Sequence, residues 1–201
     1  MTAVLRTGVL MKLRQFRSCA SGVAVIEFAA LAPLMLLLAL GTFEIGRAVV
    51  IHKRFQRAVA MVGDLIARET VLSSTTAANA QAQLDGIMRS GEQVMFPYSK
   101  TPLKIGVMQV LASSDTDTTV QWSYKYNGGS ASACGATKAQ PTSGMVITNN
   151  YAIVVEAEYQ YTPVLKDILP FVWTNEPFKE VVANATRDIC VHWIGNACKA
   201  C

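Results

Sequence analysis

Four residues near the C-terminus have side chains that could bind a metal ion or form disulfide bonds: Cys190, His192, Cys198 and Cys201. Thiolates and imidazole are the usual ligands of structural zinc, and the last two cysteines have C-x-x-C spacing. Cys190 and His192, however, are closer together than the usual zinc-finger spacings allow. The fifth cysteine, Cys19, lies near the N-terminus, and Cys134 with the three C-terminal cysteines forms an even set, which is typical of an oxidising compartment. The pattern favours disulfides over zinc and leaves the pairing open.

The sequence offers no recognisable catalytic centre or cofactor site. His52 and His192 are the only histidines, and neither has a recognisable nucleophile or orienting partner. Serine hydrolase, zinc protease, phosphate-loop and dinucleotide motifs are absent from the sequence. Glu156 and Glu158 alternate with apolar residues, as on the solvated face of a β-strand. We therefore expect a protein that is not an enzyme and that needs no cofactor.

Composition and charge indicate a membrane protein with a short basic leader. Apolar residues make up 51% of the chain and charged residues 16%, against about 25% charged in soluble proteins. The net charge of +4 equals the contribution of the basic residues that precede the first acidic one: Arg6, Lys12, Arg14 and Arg17. Because the excess lies in the leader and no recognition motif accompanies it, we expect no binding of nucleic acid.

One apolar segment is long enough to cross a bilayer. Residues 23–43 contain a single charged side chain, and as a helix they would span about 31 Å. The hydrophobic region of a cleaved secretory signal is only about 7–15 residues long, so we expect the segment to be retained. Basic residues flank it equally, with Arg47, Lys53, Arg54 and Arg57 following it. The cysteines beyond it favour a cytoplasmic N-terminus and an extracytoplasmic bulk.

The start of this segment resembles a known processing signal. A basic leader ends at Gly22, four apolar residues follow, and then come Glu27 and Phe28 at the head of a long apolar run. This arrangement is similar to the class III signal peptide of type IV pilins and pseudopilins. More narrowly, residues 21–48 resemble the TadE-like minor pseudopilins of the tight-adherence (Tad, or Flp) pilus system.

The resemblance implies cleavage by a membrane prepilin peptidase between Gly22 and Val23. It further implies that Glu27, with Phe28 beside it, forms an assembly contact with the free Val23 amine of a neighbouring subunit. The partners would be other pilin and pseudopilin subunits and the pilus assembly platform. The protein would be a single-pass protein of the bacterial inner membrane, with a periplasmic C-terminal domain and a role in a surface pilus that supports adhesion or biofilm formation. The alternative is an uncleaved bitopic protein whose sheet domain binds an envelope ligand or a metal.

The remaining sequence predicts helices and then strands. Apolar residues between Ile45 and Ile66 recur every three or four positions, which indicates that the helix continues beyond the membrane. A second helix is expected over residues 77–90, and residues 127–144 are expected to form a loop. Strand-forming residues dominate four later segments, the first two of which should form a hairpin: 103–111, 118–126, 151–161 and 178–193.

Together these patterns predict an α+β fold. A long N-terminal helix, transmembrane at first and then amphipathic, should precede a small antiparallel β-sheet head. The expected organisation is a cleaved leader, a transmembrane helix, a juxtamembrane helical region and a β-rich extracytoplasmic head: residues 1–22, 23–43, 44–90 and 91–201.

Overall fold

The structure is a computed structural model, and the residues that it describes are 21–72, 76–140, 146–166 and 176–193. It divides into two compact units, of which the first ends at Gly46 and the second begins at Arg47. Helix α1 (Ser21–Ala67) contributes to both units. We refer to the second unit as the head.

The first unit contains the apolar part of α1. Every large apolar side chain from Val23 to Leu38 is exposed, including Ile26 at 72% and Phe28 at 67%. So much apolar surface is unfavourable in water and favourable in lipid. The helix is long and apolar enough to cross a membrane by length and composition. The expectation of a long N-terminal apolar helix is therefore confirmed.

In the head, α1 buries one face against a helix and the sheet. The buried positions recur every three or four residues, as the periodicity predicted: Ile51, Phe55, Ala58, Val59, Val62 and Ile66. Helix α2 (Ala77–Val94) begins after Thr76, whose hydroxyl accepts a 3.2 Å hydrogen bond from the Asn79 amide. A Cβ on Gly91 would lie 2.6 Å from Val62 Cγ2, so α2 packs on α1 at a distance that only glycine permits.

The main sheet has five antiparallel strands in the order β4-β3-β2-β5-β6. Its strands are β2 (Leu103–Ala112), β3 (Asp117–Tyr126), β4 (Thr137–Ala139), β5 (Tyr151–Tyr159) and β6 (Phe178–Ala185). The helices and the antiparallel sheet confirm the α+β fold class, and the pairing of β2 with β3 confirms the predicted hairpin. The short strand β4 lies within the segment that was expected to be a loop.

Alternation along the central strands separates two cores. Ile105 and Val107 of β2 join the core that includes the helices, whereas Met108 and Val110 join a second core on the opposite face. A β-bulge interrupts this alternation, because Gln109 pairs with Trp122 while Val110 pairs with Val120. The extra residue on β3 turns Trp122 toward the helices although Val120, two positions earlier, packs in the second core.

The face of the sheet opposite the helices is covered by the loop after β3. A Cβ on Gly106 would lie only 1.6 Å from the Ser130 carbonyl oxygen, so the loop can cross β2 only because residue 106 is glycine. Asn127 and Gly128 begin this loop with positive φ angles of 49° and 75°, which turn the chain back over the sheet.

The expectation of one strand over residues 178–193 is wrong. Strand β6 ends at Ala185, and residues His192–Trp193 form a separate strand, β7, which pairs in parallel with β1 (Val71–Leu72). The physical reason is that backbone amides after Ala185 donate hydrogen bonds to carbonyl groups at the end of α1 and just beyond it. The Arg187 amide donates to the Ala67 carbonyl at 2.9 Å, and the His192 amide donates to Thr70 at 3.1 Å.

Candidate functional site

The residues of the predicted processing signal lie in the first two turns of α1. Val23 is 57% exposed, and Glu27 and Phe28 are exposed as well. Val23 and Glu27 are four residues apart, so they share one face of the helix. A Cβ added to Gly22 would meet no described atom within 4 Å outside its own turn of the helix.

Glu27 differs chemically from the rest of the apolar segment. The other hydrogen-bonding side chain between residues 23 and 43 is Thr42, which donates to the Leu38 carbonyl at 2.7 Å within the same helix. The Glu27 carboxylate has no hydrogen bond or ion pair within the described residues. An ionised carboxylate at membrane depth costs about 2.5–3.5 kcal/mol on insertion scales, so a partner from another molecule would stabilise it.

A known family covers this helix. The model of the TadE-like protein family matches residues 22–64. The match begins at Gly22, includes Glu27 and continues into the head, and it confirms the resemblance for this segment. No curated protein and no solved structure matches the chain.

The TadE-like match and the apolar helix together fit a single-pass membrane protein. The family is associated with the Tad pilus and is of a structural, non-enzymatic kind, which supports the interpretation of the sequence as that of a pilus-related protein. The TadE-like segment ends at residue 64, so the sheet of the head lies outside the match.

The two cysteines that the structure describes in the head differ in their exposure to solvent. Cys134 lies exposed in the loop after β3, where its Sγ is 2.7 Å from the Gln121 carbonyl oxygen, whereas Cys190 is buried just before β7. Cys198 and Cys201 lie outside the described residues, so the two disulfides stay a prediction. Among the described residues, no group of three or more histidine, cysteine or acidic side chains is arranged to hold a metal ion.

The other polar residues singled out from the sequence have structural contacts. The His52 ring meets Phe178 edge-on at 4.9 Å between centroids, and it is half-buried. Glu156 forms an ion pair with Lys138, and Glu158 lies 3.7 Å from Lys179 Nζ. These contacts place the two glutamates on a charged outer region of the sheet, as the alternation indicated.

Sequence reasoning missed a buried hydrogen-bonded cluster that holds the C-terminal segment. The Gln109 Oε1 atom accepts hydrogen bonds from Trp122 Nε1 at 3.2 Å and from the Val191 amide at 2.8 Å. Trp122 Nε1 also donates to the Val191 carbonyl at 2.9 Å, and its ring meets Trp193 edge-on at 5.3 Å. We call these four residues the glutamine cluster. The bulge hid this cluster, because regular alternation along β3 would place Trp122 on the face of Val120, whereas the bulge turns it to the face of Gln109.

Helix α2 contacts the sheet through two tyrosine–carboxylate pairs. Tyr124 donates a hydrogen bond to Asp85, and Tyr126 donates to Glu92 at 3.0 Å. Burial, and next the hydrogen bond to Asp85, raise the pKa of Tyr124 well above its ordinary value. Burial and Glu92 raise the pKa of Tyr126 in the same way.

These shifts predict a loss of stability at alkaline pH. Above about pH 10 the tyrosines of the unfolded chain ionise while those of the folded head keep their protons, so the free energy of unfolding falls as pH rises. Below that pH both states are protonated and this contribution to stability is fully present. For the Tyr124→Phe protein, the free energy of unfolding should fall less steeply between pH 10 and the pKa that Tyr124 has in the folded state. Guanidinium unfolding at several alkaline pH values measures the slope, and an unchanged slope would contradict the prediction.

Proposed function

We propose that this protein is a TadE-like minor pseudopilin that takes part in assembling a tight-adherence pilus at the bacterial cell envelope. The single observation that carries the proposal is the family match over residues 22–64, which coincides with an exposed apolar helix. The role in adhesion or biofilm formation follows from the pilus system that the family belongs to.

In this proposal a prepilin peptidase removes residues 1–22. Gly22 stands directly before Val23, and a Cβ added to it would meet no described atom within 4 Å outside its own turn of the helix. A peptidase must bind the backbone on both sides of the bond that it cuts, and an unobstructed glycine allows that approach. Cleavage makes Val23 the new N-terminus and places its positively charged amine four residues before Glu27.

The assembly contact joins two subunits through opposite charges. In a bundle of apolar helices, the Glu27 carboxylate of one subunit accepts hydrogen bonds from the Val23 amine of its neighbour. Pairing offsets the desolvation of both groups, because each charge is compensated in a region of low dielectric constant. The exposed Phe28 ring, adjacent to Glu27, packs at the same contact.

The proposed location is the bacterial inner membrane, with the N-terminus in the cytoplasm and the head in the periplasm. The peptidase acts on the cytoplasmic side, which sets this orientation for Gly22. An oxidising periplasm would also allow Cys134, Cys190, Cys198 and Cys201 to form disulfides. Such bridges would attach the last residues of the chain to the head.

Processing provides the decisive test of this function. In cells with an active prepilin peptidase, we expect the mature protein to begin at Val23, as read by N-terminal sequencing of the membrane fraction. Gly22→Val should block cleavage because its branched side chain obstructs the backbone, whereas Gly22→Ala, the matched control, should be cleaved more readily. A chain that still begins near Met1 would contradict the proposal and favour an uncleaved membrane anchor whose head binds an envelope ligand.

A further inference from the structure

A cavity of about 330 Å³ opens at the end of the sheet where β5 begins and β6 ends. We call it the far-end cleft. Its walls are the turn before β5, the first residues of β5, the end of β6 and three residues of the turn that follows: Thr186, Asp188 and Ile189. Its volume lies within the range of about 300–1,000 Å³ that is typical of ligand sites.

Contacts along α1 define which end of the head this is. His52, near the point where α1 begins in the head, meets Phe178 at the start of β6. Ala67, the last residue of α1, accepts a hydrogen bond from Arg187, just after β6. The cleft therefore lies at the end of the head where α1 finishes.

Apolar side chains form two sides of the cleft, and residues with short side chains form its floor. Ile147 and Ile189 flank it and are 72% and 78% exposed. Ala152, Ala183 and Ala185 line it between them, and their short side chains leave the hollow open. Two isoleucines that are this exposed on one cavity form an apolar patch of the kind that marks a contact site.

The polar groups of the cleft resemble those of a peptide. Asn149 and Asn150 are exposed, and their side-chain amides make no hydrogen bond within the described residues. Each side-chain amide offers N–H donors and a carbonyl acceptor, which are the same kinds of group that a backbone peptide unit offers. The Thr186 hydroxyl lies within hydrogen-bonding distance of the Tyr151 carbonyl, at 3.5 Å, and of the Ile189 carbonyl, at 3.2 Å. These contacts connect the wall formed by β5 to the wall formed by the turn after β6.

Among the described residues, the charged side chain that lines the cleft is Asp188, whereas the neighbouring Arg187 lines a separate hollow with Asp64. The Asp188 carboxylate accepts a hydrogen bond from the Ile189 amide at 2.8 Å, and the Asp115 carboxylate accepts one from Thr148 in the turn beside the cleft at 3.0 Å. None of the described residues that line the cleft is a lysine or an arginine. Charge complementarity therefore favours a cationic occupant.

We propose that the far-end cleft docks an extended segment of a partner protein in which a bulky apolar side chain stands next to lysine or arginine. The apolar side chain would fill the hollow above the alanines, between Ile147 and Ile189. The backbone of the segment would bond to Asn149 and Asn150, and the basic residue would face Asp188. This inference needs neither cleavage nor pilus assembly, so it can fail while the proposed function stands.

The test uses the full chain in detergent micelles with carbon-13 labels on the isoleucine methyl groups. The probe is the peptide acetyl-Gly-Lys-Leu-Lys-Gly-amide, and we expect saturable shifts of the Ile147 and Ile189 signals. Ile147→Ser and Ile189→Ser, each read at the other isoleucine, should weaken binding about tenfold, because each removes one wall of the hollow. Val164→Ser removes a 60% exposed apolar side chain outside the cleft and serves as the matched control.

Two further peptides test the assigned chemistry. Replacing leucine by alanine should abolish most of the affinity, and replacing both lysines by glutamate should weaken it through repulsion by Asp188. The proposal is overturned if no peptide gives a saturable shift, if the glutamate peptide binds equally well, or if the serine variants bind like Val164→Ser. A saturable response to maltose but not to peptide would assign the cleft to carbohydrate and would also overturn it.

Discussion

Glu27→Gln should separate processing from assembly. The substitution keeps the shape of the side chain and removes its charge, and residue 27 lies beyond the cleavage site. The Val23 amine of the neighbouring subunit would remain buried without a counter-charge, which costs about 3–5 kcal/mol per contact. We expect residues 1–22 to be removed normally and crosslinking to other pilin or pseudopilin subunits to fall by at least about a hundredfold.

The chain offers two matched controls for this experiment. Glu27→Asp keeps the charge and should retain part of the crosslinking. Thr42→Val removes the other hydrogen-bonding side chain of the apolar segment, whose bond to Leu38 is internal to the helix, and it should leave assembly intact. Normal crosslinking by a cleaved Glu27→Gln protein would show that this carboxylate is not the assembly contact.

Gln109→Leu should release the C-terminal segment from the head. Gln109 is completely buried, and its Oε1 atom accepts hydrogen bonds from Trp122 and the Val191 amide. Leucine has a similar volume but no acceptor, so the Val191 amide would be left unpaired in the core. Loss of this bond and weakening of the glutamine cluster should reduce the free energy of unfolding by about 2–5 kcal/mol.

Chemical denaturation of the full chain, followed by tryptophan fluorescence, measures this effect, because Trp122 and Trp193 lie in the cluster itself. Gln81→Leu makes the same replacement at an exposed position of α2 and should change stability by less than about 0.5 kcal/mol. If the two variants are equally stable, the cluster does not hold the C-terminal segment.

The hairpin and the central strands could be predicted because their signals are local. Strand-forming residues dominate β2 and β5, and the polar residues between β2 and β3 are typical of a turn that joins adjacent strands. The prediction was wrong after Ala185, where strand-forming residues continue but the backbone bonds to α1 instead of the sheet. Local propensity cannot reveal that competition, because Ala67 and Arg187 are distant in the sequence.

The sequence by itself determined the N-terminal apolar helix, the resemblance of that helix to TadE-like proteins and the fold class. The length of the apolar run, the position of Glu27 within it and the period of the apolar residues are all properties of contiguous segments. Only the tertiary structure decided the bulge that turns Trp122 inward, the burial of Gln109 against Val191 and the cleft between Ile147 and Ile189. Each of these joins residues from separate segments, and their contacts arise only when the sheet, the helices and the C-terminal segment pack together.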